Sequence, residues 1–355
     1  MKTIVCVFVF FFTLGCFAQQ VSGYIYDSKE NFPLEGAFVY IDGTTYAVST
    51  DARGFFMLTM PEKINAPLVV SYVGYELFRV ENPFSYDKPI KIMLKENVIT
   101  LDEVVINKGR ELFSRRQMLK AFRKHFLGTS KYAKSCRIEN EDAIKIYYDA
   151  GTNQLKAWSA SPLRIVNKQL QYNITFDLTE FTLNYNTTTL SDAYLESSFF
   201  AGGTFFTDIS GGKPPIRKRN TAYTGSQVHF MKTVASGNWE NEKYQLYIDK
   251  FPVYPANYFK VKDTLDYKKV NLVLPEKKSN IVMAGGRQLP VNKFATTRYT
   301  ILRDKKEQSF IICSNGYFYI DKDGLFFPID GVVFGGYLGE LKVGDMLPAN
   351  FSYKE

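Results

Sequence analysis

Short apolar runs separated by polar turns fill the first hundred residues. Val21 to Tyr26 reads as a strand, followed by a polar turn region from Asp27 to Glu35 that contains Pro33. Ala37 to Ile41 is a second run, ended by Asp42-Gly43, a strong turn dipeptide. Tyr46 to Thr50 and Phe55 to Met60 flank Asp51-Ala52-Arg53-Gly54. Asp at the first and Gly at the fourth position suit a type I turn, so residues 46–60 are predicted as a hairpin. Leu68 to Tyr72, Glu76 to Val80 and Ile90 to Leu94 complete the series. No segment leaves room for an ordinary helix, and the spacing predicts an antiparallel sandwich of about seven strands.

The pattern then changes period. Lys108 to Leu127 is predicted as a helix, with Leu112, Leu119, Phe122 and Phe126 on one side and Phe113 and Met118 flanking them. The other faces carry Arg110, Arg115, Arg116, Lys120, Arg123 and Lys124, and Gly128 is a natural stop. Alternation returns at Ile144 to Tyr148 and at Tyr172, Ile174, Phe176 and Leu178. Phe181, Leu183 and Tyr185 continue it with parity shifted by one, which predicts a bulge or break near Thr179-Glu180. Ala201 to Pro215, rich in Gly and Pro, reads as an exposed loop, and Arg217-Lys218-Arg219 as a basic cluster after it. Thr224-Gly225-Ser226 is placed to cap a short helix through Val234. Late hairpins turn at Asp304–Glu307, Ser314–Gly316 and Asp321–Gly324.

Four blocks of the first run of strands carry a family likeness: Ser22 to Asp27, Leu34 to Val39, Ser49 to Phe56 and Val70 to Tyr75. In this order they resemble the carboxypeptidase-regulatory-like domain, a transthyretin-like β-sandwich. The resemblance implies a non-catalytic accessory module, often found at the N-terminus of Gram-negative outer-membrane proteins, TonB-dependent transporters among them. Leu101 to Ile106 is similar to the segment by which such transporters dock their periplasmic energy-coupling protein through β-augmentation. A last strand or linker is the other reading. The chain beyond Ile106 is too short for a barrel of roughly 22 strands at about 9–11 residues each, so a transporter is not expected. The remainder resembles the β-rich C-terminal domain of Gram-negative envelope proteins with no known activity.

Residues 1–18 have the build of a secretory signal, with Lys2, an apolar Ile4–Phe12 core and a Cys16-Phe17-Ala18 cleavage pattern before Gln19. A lipid anchor on Cys16 is the rival reading, although Thr13 stands where a lipobox has Leu. The expected organisation is therefore a signal at 1–18, the sandwich at 19–97, a linker strand and basic helix at 98–127, and a β-rich domain at 128–355. The fold class is mainly β: a seven-strand Ig/transthyretin-like sandwich, a basic amphipathic connecting helix, and a β-rich α+β C-terminal domain. Aromatics at 16%, with 24 Tyr and 30 Phe, favour strands. The net charge of +8 suits anionic lipid or polysaccharide without identifying a partner.

Candidate chemistry is sparse. The chain has two histidines, His125 and His229, and the residues after His125 are Phe126, Leu127 and Gly128. The His-x-x-Glu zinc site of a carboxypeptidase is absent, and that enzyme is excluded. No Gly-x-Ser-x-Gly turn occurs; Ser226 and His229, three apart on a helix, form a weak nucleophile–base candidate. Asp321-Lys322-Asp323-Gly324 lacks the later Glu of a calcium loop and reads as a turn. Cys136 and Cys313 either pair as a disulfide or stay as separate buried thiols. Arg115, Arg116, Lys120, Arg123 and Lys124 present a candidate membrane or partner face, or simply the solvated side of a docked helix. Tyr254, Tyr258 and Phe259, and Tyr317, Phe318 and Tyr319, fit the two faces of strands, with stacking on sugars as the alternative. No phosphate loop, dinucleotide fingerprint or nucleic-acid module appears, and no cofactor or metal is expected. The sequence thus points to an exported, non-enzymatic envelope protein that contacts an envelope protein or glycan, with an outer-membrane or TonB-linked partner in view. The alternative is a glycan- or peptide-directed hydrolase using a carboxylate or Ser/His site in the C-terminal domain.

Overall fold

A computed structural model describes residues 19–96, 112–275 and 293–354. The signal at 1–18 with Cys16, the segment Leu101–Ile106 and the predicted helix start at Lys108 lie outside these residues. The chain is mainly β and divides into two compact units, the first formed by the described residues before Asn97 except Ile41–Thr45, the second by Ile41–Thr45 and everything from Leu112 on. No helix among the described residues is long and apolar enough to cross a membrane.

The first unit has seven strands: β1 (Gln19–Asp27), β2 (Phe38–Ile41), β3 (Ala47–Ser49), β4 (Phe55–Met60), β5 (Leu68–Ser71), β6 (Phe78–Val80) and β7 (Ile90–Leu94). They form one sheet in the order β4-β1-β7 and another in the order β3-β2-β5-β6. Alternation in β1 buries Val21 and Ile25, and β4 buries Phe56, Leu58 and Met60, which supply the core. Two expectations are corrected. The sandwich is not wholly antiparallel, because β7 runs parallel to β1. Residues 46–60 are not a hairpin, because β3 pairs with β2 and β4 with β1. The turn itself forms: Asp51 Oδ1 accepts from Arg53 and Phe55 N–H at 2.9 Å, and Gly54 takes φ +71°. A local turn signal fixes the bend, but the sheet each arm joins is a tertiary decision.

In the second unit, α1 (Arg115–Leu127) precedes β8 (Cys136–Ile138), β9 (Ile144–Asp149), β10 (Gln154–Ser159) and β11 (Leu163–Asn167). A long hairpin follows, β12 (Tyr172–Tyr185) and β13 (Leu195–Asp208). One edge of β12 is shared, β11 pairing with its first half and β10 with its second, while β13 runs along the other edge. The register shifts between Leu178 and Glu180, as the change of parity predicts. Residues Ala201 to Asp208 belong to β13 and are not a loop. A Cβ at Gly202 would sit 2.1 Å from the Asp177 carbonyl, so this glycine serves close strand approach. The helix is shorter than predicted: Ser114 and Gln117 form a capping box at its start, and Leu112 lies before it, exposed. Phe122 and Phe126 are fully buried, with Phe126 5.0 Å from Phe176 and Phe122 4.7 Å from Phe181. Each such ring contributes about 2–3 kcal/mol of transfer free energy, which anchors the helix on the sheet.

α2 (Ile216–Tyr223) adds Ala222 to the α1 core, and α3 (Gln227–Ser236) opens a second core in the same unit. Next come β14 (Tyr244–Ile248), β15 (Phe251–Val253), β16 (Phe259–Asp263) and β17 (Lys268–Leu272). The remaining strands are β18 (Tyr299–Arg303), β19 (Glu307–Cys313), β20 (Tyr317–Ile320), β21 (Phe326–Phe327) and β22 (Val332–Gly336). They form two sheets, β15-β14-β18-β19-β22 and β16-β17-β20-β21. Phe230 and Met231 of α3 join Trp239, Tyr299 and Phe318 between them. Arg219 is not part of an exposed basic cluster: it is buried, with Nη1 2.6 Å from Asp208 and its guanidinium 3.8 Å above Tyr172.

Candidate functional site

α3 and the β16–β17 hairpin enclose a cleft of about 570 Å³ with the turn after β20, lined by Tyr223, His229, Lys232, Glu242, Tyr267 and Asp321 among others. Ser226 caps α3, its Oγ accepting from the His229 backbone N–H at 3.1 Å. Gly225, at φ +85°, directs its N–H onto His229 Nδ1 at 3.0 Å. His229 Nε2 lies 2.8 Å from Glu242 Oε2. With Nδ1 accepting, the neutral ring carries its proton on Nε2 and donates it to Glu242; this tautomer follows from the hydrogen-bond network. Burial pushes the His229 pKa down, against the opposing pull of Glu242. Both ring nitrogens are therefore committed, and the Ser226 hydroxyl serves a backbone amide. The Ser226–His229 candidate is corrected: it is a helix cap with a fixed ring, not a nucleophile and its base.

Asp321 opens the turn after β20 and lines the cleft. It is 4% exposed, and its Oδ1 accepts from the N–H of Asp323 at 2.9 Å and of Leu325 at 2.8 Å, which makes the expected turn. Its Oδ2 is buried without a hydrogen-bond partner, and burial raises the carboxyl pKa to about 6. Nearby, Asp263 pairs with Lys268 at 2.6 Å and Asp323 with Lys322 at 3.2 Å. No three His, Cys, Asp or Glu side chains among the described residues gather as a metal site. An Asp in a turn sequence gives no sign of burial, which depends on how α3 closes over it.

The five basic residues of α1 do not form one free face. Arg115 donates to the carbonyls of Glu141 and Ile144, at 3.0 and 2.9 Å. Arg123 grips the Glu141 carboxylate with two nitrogens, at 2.5 and 2.7 Å, and Lys124 pairs with Asp192. His125 reaches the same Asp192 at 2.9 Å. Arg116 and Lys120 remain exposed. Three of the five thus hold the helix to its own domain. The cysteines are free thiols in separate cores, Cys136 against the α1 core and Cys313 in the α3 core, so the disulfide alternative is corrected. Burial pushes the Cys136 thiol up to about 12, out of the nucleophilic range.

The sandwich has a cleft of its own, about 610 Å³, lined by Phe78–Glu81 and Ser85–Lys91. Arg79, Lys88 and Lys91 line it together with Glu81 and Asp87, a mixed-charge surface next to the edge strand β6. It holds no histidine or cysteine. No curated protein matches the chain. Residues 21–106 match the family model of the CarboxypepD_reg-like domain, and the sandwich just described is that domain.

Proposed function

We propose that this is an exported, non-enzymatic component of the Gram-negative cell envelope, facing the periplasm or outer membrane. The CarboxypepD_reg-like sandwich is its accessory binding module, and the β-rich unit contacts an envelope glycan or protein, an outer-membrane or TonB-linked protein included. The signal-like pattern of residues 1–18 supports export. The observation that carries the non-catalytic reading is the state of the imidazoles. His229 has both nitrogens committed, to the Gly225 N–H and Glu242, with the Tyr244 hydroxyl 3.4 Å from Nδ1, and His125 Nε2 faces Asp192, so among the described residues neither imidazole is paired with a serine hydroxyl or a thiol. The test is fractionation of cells with crosslinking of the full chain, alongside incubation with glycan and peptide substrates. Envelope fractionation and a crosslinked partner without turnover are expected. Cytoplasmic recovery, or turnover lost on one polar substitution, overturns the proposal.

One observation favours a second reading. A buried carboxyl beside the cleft, with a pKa near 6 and one oxygen unpaired, has the properties of a general acid for glycoside hydrolysis at Asp321. Under that reading Asp321→Asn abolishes hydrolysis of a glycan panel while the protein stays folded. Full-rate hydrolysis by the variant, or none by either form, removes it.

A further inference from the structure

The sheet β16-β17-β20-β21 has two chemically opposite faces, and register assigns every side chain to one of them. Residues paired across strands share a face. Phe259 pairs with Leu272, Val261 with Val270, Val270 with Phe318 and Ile320 with Phe326; all of these but the exposed Val261 pack in the α3 core. Lys260 pairs with Asn271 and Lys262 with Lys269; Lys269 pairs with Tyr319, Asn271 with Tyr317 and Tyr319 with Phe327. The outward face is therefore three lysines, an asparagine and three aromatic rings, with no acidic residue at any outward strand position. None of the three lysines has a carboxylate partner among the described residues, whereas Lys268, on the other face, is paired with Asp263.

Folding alone does not account for this arrangement. Lysines directly opposite each other on neighbouring strands repel and weaken the sheet. Lys262 and Lys269 keep that repulsion where Thr or Glu at one position would relieve it. Lys269 Nζ stands 4.6 Å from the Tyr317 ring and 5.6 Å from Tyr319, so the ammonium is held in place over aromatic faces.

We infer that this face binds an acidic polysaccharide, a flexible chain of hydroxyl-rich sugars bearing carboxylates. The inference rests on the binding reading above and names its ligand class. Charge complementarity requires an anion. The rings decide which kind. Tyr319 and Phe327 stack on each other, 4.8 Å apart at 9°, and Lys269 lies over Tyr317 and Tyr319. Base stacking by single-stranded nucleic acid needs free ring faces, and these are taken. Membrane insertion needs several apolar side chains standing clear of the surface, but on this face Tyr317 and Phe327 are only 39% and 40% exposed, and the one projecting apolar chain of the β16–β17 hairpin, Leu265, is at its turn rather than on the face. What the face offers is ammonium groups, an amide and phenol hydroxyls, which match sugar hydroxyls and carboxylates. Lys260 and Lys262 are two residues apart on β16, about 7 Å along the strand, so they follow a linear polyanion.

The experiment is titration of the full chain with polygalacturonate, with dextran as the uncharged control, at low and high salt. A poly-dT oligonucleotide and phosphatidylglycerol vesicles are the competing probes. Expected are binding of polygalacturonate that weakens with salt, none of dextran, and a loss of about tenfold or more in the Lys262→Thr/Lys269→Ala variant. The Tyr319→Phe variant, which keeps the stack and removes a hydroxyl, loses a smaller factor. The Lys262→Thr/Lys269→Ala variant removes a repulsion and keeps the wild-type melting temperature or exceeds it, so loss of binding is not loss of fold. Equal binding by that variant, equal binding of dextran, stronger binding of poly-dT or vesicles, or no binding at low salt overturns the inference. Failure of the broader reading has a different signature: polygalacturonate is cleaved, while the lysine variant still separates this face from others.

Discussion

Two basic surfaces of the second unit look alike in composition and differ in what their charges do. On α1, Arg115, Arg123 and Lys124 are all turned onto Glu141, Ile144 or Asp192 of the same domain. On the β16-β17-β20-β21 sheet, Lys260, Lys262 and Lys269 meet no carboxylate among the described residues, and two of them face each other. A run of basic residues therefore says little until each charge has been matched with its partner. The helix charges sit close together in sequence, but that surface is largely used in holding the fold. The sheet's charges are dispersed over two strands and assemble only through register.

The comparison can be broken most forcefully on the apolar side of the helix. Phe126→Ala removes a fully buried ring packed on Phe122, Phe176, Phe181 and Phe200, and is expected to cost about 3–5 kcal/mol by urea unfolding. A cost under about 1 kcal/mol would mean that the charges, not the rings, dock α1. Next comes Asp321, at the end of β20. Its folded pKa near 6 stands above the unfolded value, so the fold binds the proton more tightly and stability falls as pH rises from about 4 to about 6. Asp321→Asn removes that dependence and gains about 1–3 kcal/mol at pH 7, with no gain below about pH 4. Denaturation at both pH values checks it. A variant that is less stable at pH 7 would show that the carboxylate has a partner.

Smaller effects sharpen the contrast. Arg123→Ala breaks a half-exposed, two-nitrogen pair with Glu141, and a loss of about 0.5–1 kcal/mol is expected, with no change in anion binding. Lys262→Thr should do the reverse, raising stability by a few tenths of a kcal/mol while weakening polyanion binding. Thermal melts and titrations of the two variants side by side would expose any exchange of roles between the surfaces.

How much of this was legible in the sequence depends on the range of the interaction concerned. Strand β4 at Phe55–Met60 and β7 at Ile90–Leu94 have the predicted limits, because alternation and turn residues are local. The shift in β12 was visible as a change of parity between Leu178 and Phe181. The split of β3 and β4 between sheets was not visible, nor was the membership of Ala201–Asp208 in β13, where glycine allows two backbones to approach. The site followed the same rule. Ser226 was recognisable as a cap, and its proximity to His229 suggested chemistry that the Gly225 N–H and Glu242 exclude. The burial of Asp321 and the common face of Lys262, Lys269 and Tyr319 needed the tertiary fold.

The irregularity in β12 has a consequence for how the molecule tolerates length changes. Before it, Tyr172, Ile174, Phe176 and Leu178 point inward; after it, Phe181, Leu183 and Tyr185 do. An even-numbered and an odd-numbered series thus serve one interior from a single ribbon, and the extra residue is the phase correction between them. Deleting Thr179 would remove the bulge and leave Phe181, Leu183 and Tyr185 in plain alternation with Leu178, still inward, whereas a deletion elsewhere in the strand would put the residues beyond it out of step with the core. In this strand the count of residues is as much a part of the code as their identity.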